Sequence, residues 1–165
     1  LQISEELLND LSIWGYRFWN MWILVFFVLN LYTMPKDLKL RIKIKALPED
    51  VYAALTNPFA IELWTGYPAV MDTTPGSPFE LFEGDIAGHN IAFIENSRID
   101  QEWYFGDNEL PSIVTLKIFP NGASATQLDV IHTNIPDDAF DDIKEGWEEN
   151  YLSGLKEFLE ISEDW

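Results

Sequence analysis

The chain has 165 residues, 47% of them apolar and 15% aromatic, which favours one domain around one core with large rings available to line a pocket. It sets 28 acidic against 10 basic side chains, a formal net charge of −18, and a surface so negative repels phosphate backbones and anionic membranes, so nucleic acid is not expected as a partner. Cysteine is absent, which excludes disulfides, thiolate nucleophiles and Cys-ligated zinc or iron–sulfur sites and agrees with a reducing cytoplasm.

Residues 18–33, with Trp19, Trp22, Phe26 and Phe27 among them, are uncharged and strongly apolar. Together with residues 13–17 they approach the roughly 20 residues that a membrane helix needs. Lys36, Lys39, Arg41, Lys43 and Lys45 follow, and the positive-inside rule would then hold the rest of the chain in the cytoplasm. A cleaved signal peptide fits worse, because Glu5, Glu6 and Asp10 occupy its n-region. The chain does not begin with Met, and Met34 stands directly before a sequence that reads as a whole domain. The expected organisation is therefore an apolar segment 1–33 and a domain 34–165. The first is upstream sequence joined by a mis-assigned start or, alternatively, a membrane anchor or a soluble extra helix.

Leu38, Leu40, Ile42 and Ile44 alternate with Lys39, Arg41, Lys43 and Lys45, the pattern of a half-buried strand with a basic outer face. That basic row is read as protection of an edge strand or as partners for nearby acids. Pro48-Glu49-Asp50 opens a helix that Asn57-Pro58 breaks, and residues 59–64 form a second short helix. After a Thr-, Pro- and Gly-rich loop come extended segments at 79–83, 86–95, 98–105, 113–119 and 124–133. Pro120-Asn121-Gly122 joins the last two as a hairpin, so the segments form an antiparallel meander. The inward faces read Ile99, Gln101, Trp103, Phe105; Val114, Leu116, Ile118; and Thr126, Leu128, Val130, His132.

Asp137, Asp138, Asp141 and Asp142 load the start of the last helix with charge that its dipole favours. At 100° per residue, Phe140, Ile143, Trp147, Tyr151, Gly154, Leu155, Phe158 and Ile161 share one stripe, while Glu145 and Glu149 lie on the solvated side. The expected fold is α+β: a curved antiparallel sheet wrapped around a long C-terminal helix, with two short helices after the first strand, a helix-grip arrangement.

The run Phe79-Glu80-Leu81-Phe82-Glu83-Gly84-Asp85-Ile86-Ala87-Gly88, the strand ending at His132, Asn134-Ile135-Pro136 and the Gly146-Trp147 pair occur in an order that resembles one family. It is the activator of heat-shock protein 90 ATPase homologue family, C-terminal-domain type, within the START-like (SRPBCC) helix-grip superfamily, and the likeness covers about residues 38–160. The resemblance implies the fold and raises a chaperone as a candidate partner. Eukaryotic co-chaperones of that family carry a further N-terminal chaperone-binding domain, which residues 1–37 are too few to supply.

Nucleotide-binding loops are absent, and His89 and His132 stand too far apart in sequence to suggest a metal site, so no cofactor or metal is expected. His132 sits in the inward register of an apolar strand, where a neutral imidazole would hold a ligand, act as a base or bond a backbone carbonyl. Trp64, Trp103, Phe105, Trp147 and Tyr151 are candidates to line a cavity beside it, and Gly154 on the helix stripe leaves room that favours one. Three functions follow. The domain holds a small hydrophobic ligand without catalysis; or it is a stress-related, co-chaperone-like interaction domain; or it is a cyclase or hydrolase using His132 with Gln101 or Tyr151. The expected location is the cytoplasm, with membrane anchoring of a cytoplasmic domain the alternative if residues 13–33 form an anchor.

Overall fold

A computed structural model describes residues 34–104 and 111–161. The apolar N-terminal segment, with its competing explanations, and Phe105 lie outside the described residues. No helix among the described residues is long and apolar enough to cross a membrane.

Six strands form one antiparallel sheet: β1 (Lys36–Ile44), β2 (Pro78–Leu81), β3 (Ile86–Ile94), β4 (Arg98–Tyr104), β5 (Ser112–Pro120) and β6 (Thr126–Ile135). Their order is β1-β6-β5-β4-β3-β2, so the meander runs back toward the first strand and the last strand pairs with it. Period-two alternation puts one face of this sheet inside. Ile99, Gln101 and Trp103 of β4, Val114, Leu116 and Ile118 of β5, and Leu128, Val130 and His132 of β6 are all buried, as their spacing predicts. On the outer face Arg41 lies opposite Asp129 and donates to both of its carboxylate oxygens at 2.7 Å, so part of the basic row is a cross-strand partner for acids.

The crossover from β1 to β2 carries two short helices, α1 (Pro48–Thr56) and α2 (Pro58–Thr65). Each has Pro at its start, where the missing N–H costs nothing, and the Asn57 side chain accepts from the Phe59 and Ala60 amides to cap α2. Gly66 ends α2 at φ 80°, the left-handed conformation that glycine adopts without a Cβ penalty.

β2 ends at Leu81, two residues short of the strand expected over 79–83. Phe82 (φ 52°) and Glu83 (φ 57°) both turn left-handed, and a 3-10 turn over Phe82–Gly84 replaces the end of the strand. The turn swings the Phe82 ring off the sheet and toward the helices, and Asp85 donates its amide to the Phe82 carbonyl.

The C-terminal helix comprises α3 (Phe140–Glu145), a π-helical stretch Gly146–Leu152 and α4 (Ser153–Ile161). The π stretch carries an extra residue in its turn and shifts the buried face by one position. From its last residue onward the buried residues are Leu152, Leu155 and Leu159, while Ile161 is 55% exposed and Phe158 only half-buried. A uniform 100° spacing places Phe158 and Ile161 inward and leaves Leu152 and Leu159 off the stripe. The difference is the phase that the π turn adds.

Candidate functional site

The middle of the sheet and the π stretch of the helix face one another through aromatic rings. Trp103 in β4 is 3% exposed and stacks on Trp147, with centroids 5.0 Å apart and planes 20° apart. Opposite Trp103 on β3 is Gly88, which is also opposite Phe79 on β2. A Cβ at Gly88 would come within 1.8 Å of the Glu102 carbonyl oxygen and 2.9 Å of the Phe79 ring. Only glycine permits this close approach, which lets Phe79 and Trp103 pack at 6.2 Å.

A buried polar ladder orients Trp103. Its indole N–H donates to Gln101 Oε1 at 3.1 Å, Gln101 Nε2 donates to Asn90 Oδ1 at 2.8 Å, and Asn90 Nδ2 donates to Ser77 Oγ and the Asp72 carbonyl. Gln101 and Asn90 are almost fully buried, and every member of the ladder is bonded, so the cost of burying these amides is met inside the protein.

His132 lies two strands from Trp103, on β6, opposite Val114 and Leu38, with no exposed surface. Trp147 donates its indole N–H to His132 Nδ1 at 3.0 Å, and Ser112 Oγ is 2.7 Å from Nε2. An indole nitrogen only donates, so Nδ1 is the unprotonated nitrogen and the single proton of the neutral ring sits on Nε2, directed at Ser112. Burial disfavours the charged ring and lowers the pKa from 6.5 to about 4, so the imidazole is neutral at physiological pH. A base acting on the Ser112 hydroxyl would need its lone pair on Nε2 and its proton on Nδ1, where the indole N–H already points.

Beside this packed centre the C-terminal helix, the end of α2 and the Phe82 turn border a cleft of about 820 Å³. Its walls include Trp64 and Tyr67 from α2 and the loop after it, Phe82 from the left-handed turn, Ile143 from α3, and Trp147 and Tyr151 from the π stretch. Trp64 is fixed by its indole N–H donating to the Ala54 carbonyl of α1 at 2.9 Å, and its ring meets Tyr151 edge-on at 5.0 Å. Tyr151 is 3% exposed and burial raises its pKa, so the phenol stays protonated. Its hydroxyl makes no hydrogen bond with any described residue, yet no buried side-chain oxygen among them is sealed off without a partner, so the group keeps an opening to the cleft. Gly154 is among the residues that line the cleft, and a Cβ there would make ordinary contact with Trp64, 3.4 Å from its carbonyl oxygen and 3.6 Å from its ring.

Of the expected cavity residues, Trp64, Trp103, Trp147 and Tyr151 line this cleft. His132 is brought beside it, in contact with Trp103 and Trp147, but is not part of its wall. His89 is exposed on the other face of the sheet, where Nδ1 is 3.2 Å from the Tyr104 hydroxyl. Sequence reasoning passed over Ser112, although the inward series Val114, Leu116, Ile118 extended one step back reaches it. It also passed over Asn90, whose register is masked by a bulge between Asn90 and Ala92, and Phe82, whose left-handed backbone breaks the strand pattern. Among the described residues no cluster of His, Asp and Glu side chains is arranged to hold a metal ion.

Comparison with known proteins adds a lineage to this geometry. The family model described as Activator of Hsp90 ATPase homolog 1-like protein matches residues 45–160. A curated relative in Dictyostelium discoideum, an activator of 90 kDa heat shock protein ATPase homolog, is 29% identical over 129 residues, which span 77% of this chain and 34% of that protein. Its human counterpart, homolog 1, is 24% identical over 113 residues, 67% of this chain and 33% of that protein. The chain thus spans about a third of the length of these relatives. A crystal structure of an HSP90 activator from Plasmodium falciparum superposes with a TM-score of 0.70 at 26% identity, covering 74% of this chain and 95% of that one.

Proposed function

The chain belongs to the activator of Hsp90 ATPase homolog 1-like family, and from that premise we propose that it is a non-enzymatic START-like domain that holds a small, mostly apolar molecule between α2, the Phe82 turn and the C-terminal helix. The observation that carries this reading is the cleft itself. It has the volume of a small-molecule site, about 820 Å³, with walls of Trp, Phe and Tyr rings and one protonated, unpartnered phenol to orient a guest. The π stretch supports it, because such turns are kept mainly where a helix must present side chains to a site.

The test is a titration of the full chain with an apolar fluorescent probe and a set of small aromatic and aliphatic compounds, followed by Trp fluorescence and by the indole N–H resonances. Saturable binding that shifts the Trp147 and Trp64 signals, and that weakens several-fold in Phe82→Ala, is the expected result. The proposal fails if no compound saturates, or if binding is unchanged in Phe82→Ala.

A second reading rests on a different observation, the names that the relatives carry. The Dictyostelium and human relatives are each named as an activator of 90 kDa heat shock protein ATPase homolog, and a stress-related, chaperone-facing role in the cytoplasm is proposed on that ground. Purified chain added to a chaperone of that class should raise its ATP turnover or co-elute with it at low salt. A chaperone whose turnover is unmoved and whose elution is unchanged removes this reading and leaves the first intact.

A further inference from the structure

The rim of the cleft carries a charge pattern that narrows the guest, provided the ligand reading above holds. Glu83 and Asp85 from the Phe82 turn, and Asp142, Glu149 and Glu157 from the C-terminal helix, line it from two sides. No Lys, Arg or His is among the described lining residues, and none of the five carboxylates forms an ion pair with a described residue. Elsewhere five of the scarce basic side chains are matched to acids: Lys36 to Asp137, Arg41 to Asp129, Arg98 to Asp100, Lys144 to Glu148 and Lys156 to Glu160. Acidic residues on a helix are ordinarily a solvated face. Here they border a concave wall of rings, and the buried Tyr151 hydroxyl opens into it with no described partner, whereas a buried phenol normally finds one inside the protein.

We infer that the cleft takes a cationic amphiphile: a small organic amine whose aromatic or alkyl body lies against Trp64, Tyr67 and Phe82 and whose ammonium sits among the rim carboxylates. The ring faces favour a cation over them, and the carboxylates add to that attraction. The Tyr151 hydroxyl accepts from the ammonium N–H or donates to an oxygen on the guest. A fatty acid or other carboxylate of the same shape would bring its charge against acids on two sides with no cation to answer it, so the same rim acts as a filter against anions.

The experiment uses three probes of one shape, 1-naphthylmethylammonium, 1-naphthalenemethanol and 1-naphthoate, titrated calorimetrically into the full chain with the Trp indole N–H signals followed in parallel. The ammonium should bind about tenfold tighter than the alcohol, with 1-naphthoate weakest, and its advantage should shrink at about 0.5 M salt. In Asp142→Asn/Glu149→Gln/Glu157→Gln the advantage should fall to about twofold with the alcohol unchanged. A control losing as many charges away from the cleft, Glu49→Gln/Asp50→Asn/Glu95→Gln, should keep it, which separates the rim from the general pull of an acidic protein. Equal binding of ammonium and alcohol, or equal loss in the two triple variants, overturns the inference while the ligand reading stands. If none of the three moves the indole signals, the ligand reading fails with it.

Discussion

Trp147 on the π stretch of the helix donates its indole N–H to Nδ1 of His132 on the last strand, at 3.0 Å. That bond joins the two halves of the grip and decides which nitrogen of the ring carries the proton. It also explains why charging the ring is unfavourable: an imidazolium has N–H on both nitrogens, and one of them would then face the indole N–H. Desolvation acts in the same direction and lowers the pKa from 6.5 to about 4. A depressed histidine pKa means that the unfolded chain binds the extra proton first. The contribution to stability is complete above pH 6.5 and is lost as pH falls toward 4. Over that window the loss amounts to about 3 kcal/mol. Urea unfolding at several pH values should show a steeper fall for the wild type than for His132→Gln, which is less stable at neutral pH but has no group to titrate there. Parallel profiles for the two proteins would mean that the folded ring takes up its proton as readily as it does in the unfolded chain.

The indole donor can be removed while its stacking on Trp103 is largely kept. Trp147→Phe should lower stability by about 1–3 kcal/mol through the lost bond and the smaller ring. More tellingly, the ¹⁵N shifts of His132, those of a ring protonated on Nε2 in the wild type, should move toward a mixture of tautomers in the variant. Unmoved shifts would show that Ser112, 2.7 Å from Nε2, fixes the tautomer by itself.

Legibility in the sequence followed local regularity. Strand faces were readable because a pleat alternates strictly: His132, Trp103 and Gln101 are buried where a period of two puts them. The helix was readable only as far as its geometry stayed α-helical. Past Gly146 the π turn moves the buried face from Phe158 to Leu159, and nothing in the residue types marks where a turn will take an extra residue. Phe82 was read as strand because its neighbours are strand-like, whereas its left-handed backbone is imposed by the turn and by the rings of Trp64 and Tyr151 that its side chain meets. The polar ladder through Asn90 and the lone hydroxyl of Tyr151 depend on which side chains meet across strands and helices, information that a single sequence does not carry.

Two glycines, one in a strand and one in the helix, should respond in opposite ways. At Gly88 an added methyl would meet the Glu102 carbonyl oxygen at 1.8 Å, a backbone atom that cannot yield without disturbing the β3–β4 pairing, so Gly88→Ala should cost about 1–3 kcal/mol or more. At Gly146 the backbone is right-handed helical (φ −57°, ψ −40°) and a Cβ meets nothing within 4 Å, so Gly146→Ala should raise stability by up to about 1 kcal/mol through the unfolded chain. Melting curves of the two variants beside the wild type check both signs at once. A destabilised Gly146→Ala would indicate that the π stretch needs glycine for its own geometry.

Tyr151 separates holding the fold from holding a guest. Its ring is packed between Trp64 and Trp147, at 5.0 and 4.5 Å between centroids, and Phe keeps those contacts. Its hydroxyl has no hydrogen bond with the described residues, so removing it strands no partner there, and Tyr151→Phe should stay within about 0.5 kcal/mol of wild-type stability. Binding should behave differently. A guest that bonds to this oxygen loses that bond in the variant, and its affinity should drop about three- to tenfold, the worth of one hydrogen bond to a desolvated group. Calorimetry on the folded variant with the ammonium probe reads this directly. The combination expected of a polar group kept for a ligand is unchanged melting with weakened binding; weakened melting with unchanged binding would make the hydroxyl part of the fold.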